Sequence, residues 1–221
     1  MSKLGPILIG IVISFPALAN EVDLGNGEEI NEVCAGCHGE FGEGGKDGEY
    51  PRLAGLPASY MEKQLHLFRD RQRPNLPMLE YIDERQSPDQ DIKDISAYLQ
   101  QIELVTQLPP VTNESDFDAY ERMMMTKKLL NIARLDGDIE SGKKLYKREC
   151  RTCHGRKAEG KMEKAIPMLA GQYSQYLNRQ FALYRKKQRI HDEEDLDNSL
   201  ISSLSQQQLD DLLAYLSILD D

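Results

Sequence analysis

"CAGCH" at residues 34–38 recurs as "CRTCH" at residues 150–154, an offset of 116. The same offset carries Pro51 onto Pro167, Ala54-Gly55 onto Ala170-Gly171, Tyr60 onto Tyr176, Gln64 onto Gln180, Phe68 onto Tyr184 and Arg73 onto Arg189. Near the ends of the two copies the offset becomes 117, and Ile92, Ala97, Tyr98 and Leu99 match Leu209, Ala214, Tyr215 and Leu216. A long period shared by small, aromatic and charged positions is an internal duplication. It divides the chain into a module at 20–108, a connecting segment at 109–137 and a second module at 138–221.

Each module reads as helical. A first helix carries the cysteine motif. A second, near 57–72 and 172–188, sets Tyr60, Gln64 and Phe68 four residues apart on one stripe. A third begins at "SPDQDIKDISAYL" and at "SQQQLDDLLAYL", with Ser87 and Ser205 as N-caps, Gln90 and Gln208 completing capping boxes, and Pro88 in the first helical position. No stretch alternates with period two, so no substantial sheet is expected. The connecting segment opens with Pro109-Pro110 and continues as a linker helix in which Met123, Met124 and Met125 serve packing. The fold class is therefore all-α.

The chain opens "MSKLGPILIGIVISFPALAN", with a lysine, a short apolar run and Ala17-Leu18-Ala19 as a cleavage signal. This reads as a signal peptide over residues 1–19, cut after Ala19, with a periplasmic product; an uncleaved membrane anchor is the alternative. The net charge of −10 argues against nucleic acid as a partner. The charge is unevenly placed: residues 20–108 hold 8 Lys and Arg against 18 Asp and Glu, whereas residues 138–221 hold 14 of each. Lys143, Lys144, Lys147, Arg148, Arg151, Arg156, Lys157, Lys161 and Lys164 gather around the second motif.

C-x-x-C-H is an attachment signature for c-type haem. Its spacing puts Cys34 and Cys37, or Cys150 and Cys153, on one helical turn as thioether donors, with His38 or His154 reaching the iron from the same side. Two disulfides, or one zinc site, would also consume four cysteines, but either leaves the histidine after each pair and the repeat without a purpose. Two covalently bound haem c groups are therefore expected.

The stretches "CAGCHGEFGEGG", "YPRLAGLPASYMEKQL", "PMLEY" and "SPDQDIKDISAYL" resemble a class I cytochrome c. The doubled arrangement, with "PMLAGQYSQYLNRQ" in the second half, is similar to the dihaem cytochrome c4 type. The resemblance covers the mature chain except the linker. It implies two tandem cytochrome modules, and it implies that Pro51 and Pro167 accept a hydrogen bond from the proximal histidine, which orients the ring. It also implies a methionine as sixth iron ligand, and Met78 fits in the first half, 40 residues after His38. The second half departs from the pattern, because residues 169–221 contain no methionine. His191, 37 residues after His154, takes the place of sixth ligand there, ahead of Met162 and Met168, which align with the proximal segment.

The expected function is transfer of single electrons between redox proteins of the periplasm or a membrane respiratory chain. Docking would be by charge, and a peripheral association with a membrane oxidoreductase is possible. The alternative is a haem enzyme acting on a sulfur or nitrogen oxyanion or peroxide at the atypically ligated second haem. A haem of higher potential in the first module follows from the thioether ligand, and the acidic run Asp192, Glu193, Glu194 and Asp195 lowers the second.

Overall fold

Asp23 and Asp138 begin the two modules in the same way. Each is an N-cap whose carboxylate accepts backbone N–H groups of the first helical turn, from Asn26 in one case and from Glu140 and Ser141 in the other. The computed structural model describes residues 21–45, 48–83, 87–104, 117–122, 135–192 and 194–219. The expected signal peptide, the three methionines at 123–125 and most of the linker helix lie outside the described residues.

In the first module α1 (Leu24–His38) is followed by α2 (Ala58–Arg69), α3 (Leu76–Tyr81) and α4 (Asp89–Gln100). In the second, α5 (Ile139–Glu149) and α6 (Arg151–His154) share the work of α1, and α7 (Ser174–Arg185), α8 (Ser199–Ser203) and α9 (Gln206–Leu216) follow. The described residues contain only isolated β-bridges, such as Gly45 with Tyr50 and its counterpart Lys161 with Ile166. The all-α expectation holds. Gly39 (φ 83°) and Gly155 (φ 90°) end the motif helices in a conformation open to glycine, so the chain turns away directly after each histidine.

In each module the first and last helices cross closely. Gly27 on α1 and Gly142 on α5 make this possible, because a Cβ at either would run into the backbone of Asp94 or Asp211. The same two aspartates accept the N–H of Asp23 (2.9 Å) and of Asp138 (2.8 Å), so the crossing is also tied by hydrogen bonds. The second core is substantial, with Leu145, Tyr146, Leu177, Leu209, Leu212 and Leu213 among its buried members. Among the described residues the first core is smaller, built on buried Leu56, Met61, Ile95 and Leu99.

Two local expectations are corrected. Ser205 and Gln208 form their capping box, but Ser87 and Gln90 do not. The Ser87 hydroxyl donates to the Tyr81 carbonyl, and the Gln90 amide donates to Asp94 and to the Glu21 carbonyl. Pro88 consequently stands at the N-cap rather than in the first turn. The second helices stop three residues short of the expected ends, before Arg71 (φ 59°) and Lys187 (φ 54°).

The two modules meet through the repeated stripe of α2 and α7. Arg73 stacks on Phe68 (4.2 Å) and donates across the interface to the Tyr176 hydroxyl (3.1 Å) and Gln180 Oε1 (2.9 Å). Arg189 stacks on Tyr184 (4.9 Å) and donates back to the Tyr60 hydroxyl (2.6 Å) and Gln64 Oε1 (3.2 Å). The pattern is its own image under a local two-fold axis. Gln172 exchanges two hydrogen bonds with the Arg52 backbone, each 3.0 Å. Met168 packs on the first module's core, and Met162 is exposed, so neither belongs to the site around His154.

Candidate haem sites

His38 closes α1 and His154 closes α6, and both are buried. The Nδ1 of His38 lies 2.9 Å from the Pro51 carbonyl oxygen, and that of His154 lies 3.0 Å from the Pro167 carbonyl. A carbonyl only accepts, so each Nδ1 carries the proton and each Nε2 offers its lone pair. Burial holds both imidazoles below their ordinary pKa, His154 down to about 4, against the opposing pull of the proline carbonyls. Both rings are thus neutral at physiological pH, the state in which imidazole binds a metal.

The cysteines sit on the same turns. Burial pushes the thiols of Cys34 and Cys150 up to about 11, so both sulfurs are uncharged, as thioether sulfurs are. All four cysteines are free of disulfides.

The distal sides differ. Met78 lies half-buried on α3, whose N-cap Asn75 accepts the Met78 N–H at 3.5 Å. Phe68, Arg73, Asn75 and Pro77 line a cavity of ≈ 490 Å³ on this segment, and Met78 is not part of its lining. In the second module the rings of His154 and His191 lie close together, with centroids 6.0 Å apart and planes at 39°. Two metal–imidazole bonds of about 2 Å, with about 1 Å from each nitrogen to its ring centre, span about 6 Å. A separation of this size would let His154 and His191 hold one iron between them. Burial, then Arg189, lowers the His191 pKa against the opposing pull of Asp192 and Asp195, so this ring is also neutral.

A further observation fits a group bearing carboxylates. Arg73 and Arg189 are each 6% exposed, and no carboxylate among the described residues pairs with either. Buried Arg189 Nε also lacks a partner. Burying guanidinium charge without an anion is costly, and haem carries two propionates. Sequence reading recorded both arginines only as repeat matches. Their identity at equivalent positions was the available signal for a shared polar role.

The cytochrome c family model matches twice, over residues 25–103 and 139–220. The chain belongs to the cytochrome c family. A thiosulfate dehydrogenase electron acceptor of Stutzerimonas stutzeri (strain A1501) is 30% identical over 183 residues, covering 83% of this chain and 77% of the relative. Cytochrome c4 of Azotobacter vinelandii is 25% identical over 210 residues, covering 88% of each. The crystal structure of reduced recombinant cytochrome c4 from Pseudomonas stutzeri has the same fold, with a TM-score of 0.65 at 23% identity, covering 90% of this chain and all of that one. The chain is thus a dihaem cytochrome similar to cytochrome c4, carries two covalently bound haem c groups and is an electron-transfer cytochrome. Among the described residues no helix is long and apolar enough to cross a membrane.

Proposed function

We propose that the chain is a periplasmic two-centre electron carrier with unlike haems. Cys34 and Cys37 hold the first, with His38 and Met78 as axial ligands. Cys150 and Cys153 hold the second, with His154 and His191 as axial ligands. The haems supply one-electron redox chemistry when bound, and the protein sets their potentials, exposure and docking. Pro51 and Pro167 fix the proximal rings, and Arg73 and Arg189 balance propionate charge at the module interface. The close-lying imidazoles of His154 and His191 carry this reading. A second strong ligand closes the iron to substrates, which favours a carrier over an enzyme.

The test is a redox titration of the purified holoprotein followed by optical absorption and electron paramagnetic resonance. Two potentials are expected, the lower belonging to a bis-imidazole centre, because imidazole replaces the thioether that raises potential. In His191→Ala the second ferrous haem should bind carbon monoxide at least about a hundredfold faster, while the first haem keeps its methionine-to-iron band. A variant with an unchanged spectrum and no gain in ligand binding returns His191 to the surface.

The partner is proposed to be an oxidoreductase that hands single electrons to this chain, a reading supported by a relative described as a thiosulfate dehydrogenase electron acceptor. Charge supports a preferred end for docking. At equivalent positions Glu28, Glu32 and Glu40 of the first module become Lys144, Arg148 and Arg156 of the second, all exposed. Lys143 and Arg148 are neutralised locally by Glu140 and Glu149, whereas Lys144, Lys147, Arg151 and Lys157 are exposed on the segments that carry the second motif. Reversing Lys144, Lys147 and Arg151 to Glu is expected to slow reduction by an acidic partner by about tenfold at low salt, the gap closing as salt rises. Stopped-flow rates independent of ionic strength would remove charge from the docking step.

A further inference from the structure

We propose that His191 is held in place by a clamp with two anchors, Asn198 behind it and Arg189 before it, and that the first module supplies the far side of the second anchor. The proposal rests on the reading of His191 as an axial ligand. Met78 needs no such device, because it sits in α3 and its backbone is held by a helical turn. His191 lies outside any helix, on the loop between α7 and α8. A loop residue reaches a fixed point reliably only if something else removes its freedom.

Asn198 does so from the centre of the loop. It is 1% exposed, and its side chain uses three hydrogen-bonding positions. Oδ1 accepts the His191 N–H at 2.7 Å, and Nδ2 donates to the Tyr184 carbonyl at 2.8 Å and the Arg189 carbonyl at 2.9 Å. It therefore staples the end of α7, the start of the loop and His191 itself to one buried point. Its backbone is left-handed (φ 51°, ψ 41°), a conformation asparagine tolerates better than most residues. The Tyr184 ring meets His191 edge-on, with centroids 5.3 Å apart, which limits rotation of the imidazole.

Arg189 holds the other side. It precedes His191 by two residues, and its guanidinium lies over Tyr184 and reaches the Tyr60 hydroxyl and Gln64 of the first module. Tyr60 is therefore a positioning residue for a ligand in the other module. Contact between the modules sets how often His191 leaves the second iron.

The test is carbon monoxide binding to the ferrous holoprotein by stopped flow, with both potentials measured alongside. Binding at a closed haem proceeds only through the fraction of molecules whose sixth ligand is off, so the rate reports the clamp directly. Asn198→Gly keeps the left-handed backbone and removes three hydrogen bonds; the second haem should react about tenfold faster, with the first haem's methionine band unchanged. Asn198→Asp keeps the acceptor for the His191 N–H and should fall between this variant and wild type. Tyr60→Phe removes only a hydroxyl of the first module and should speed the second haem about threefold. If Asn198→Gly fails to retain haem, Asn198→Asp and Tyr60→Phe decide. Wild-type rates in the Asn198 and Tyr60 variants, with His191→Ala wide open, overturn the clamp and leave the ligand assignment standing. A closed second haem in His191→Ala overturns the assignment, and the clamp with it.

Discussion

Gly142→Ala is expected to destabilise the second module far more than the first, with both haems retained. The added Cβ would sit inside the Asp211 carbonyl group and 2.9 Å from Tyr215 Cβ, on the face where α5 crosses α9. The obstacle is backbone and the root of a buried side chain, so no rotamer change relieves it. The helices must separate, and separation also strains the hydrogen bond from the Asp138 N–H to Asp211 and loosens Leu145, Tyr146, Leu209 and Leu212. Overpacking of this kind costs about 3 kcal/mol or more, against a total of about 5–10 kcal/mol for a domain of this size. Denaturation followed separately at the two haems should show the second transition shifted far below the first. Gly27→Ala meets Asp94 in the same way and should invert the order. Coincident transitions in Gly142→Ala would mean that the crossing can open cheaply.

Cys150→Ala with Cys153→Ala is expected to leave a chain carrying one haem and lacking an ordered second module. Intact mass under denaturing conditions should fall by one haem, because thioether attachment survives denaturation and axial bonding does not. The effect on folding follows from what surrounds the motif. His154 is buried and neutral, the His191 ring centroid lies 6.0 Å from its own, and Arg73 and Arg189 are buried without a carboxylate among the described residues. On the proposed assignment each arrangement would be stabilised by haem, and small modules depend on such a staple. The first module should weaken as well, because Arg73 donates to Tyr176 and Gln180, and Met168 packs on the first module's core. Loss of both haems, or none, from the double variant would separate attachment from the C-x-x-C-H motif.

The helical class, the duplication and the nature of the cofactor were legible in the chain because each depends on local spacing. Apolar residues at intervals of three and four and a repeated C-x-x-C-H are short-range patterns, and their physical consequence does not depend on distant residues. His191 stood out in the sequence by elimination, since no methionine follows Met168, but its distance from the proximal ring had no sequence signal. That distance depends on where a loop lands across the space a haem would fill. The failure of the Ser87–Gln90 capping box has the same origin: Gln90 found a partner at Glu21, 69 residues away. The repeat brought Tyr60, Gln64 and Arg73 to notice alongside Tyr176, Gln180 and Arg189, yet nothing in a linear pattern says that each arginine bonds the other module's tyrosine. Two copies of one surface can face solvent or face each other, and the energy of burying two guanidinium groups is decided only when both copies and their anions are in place. Tertiary structure alone determined that the repeated stripe is the interface, and that Arg189, two residues before His191, is bonded to Tyr60 and Gln64 of the first module.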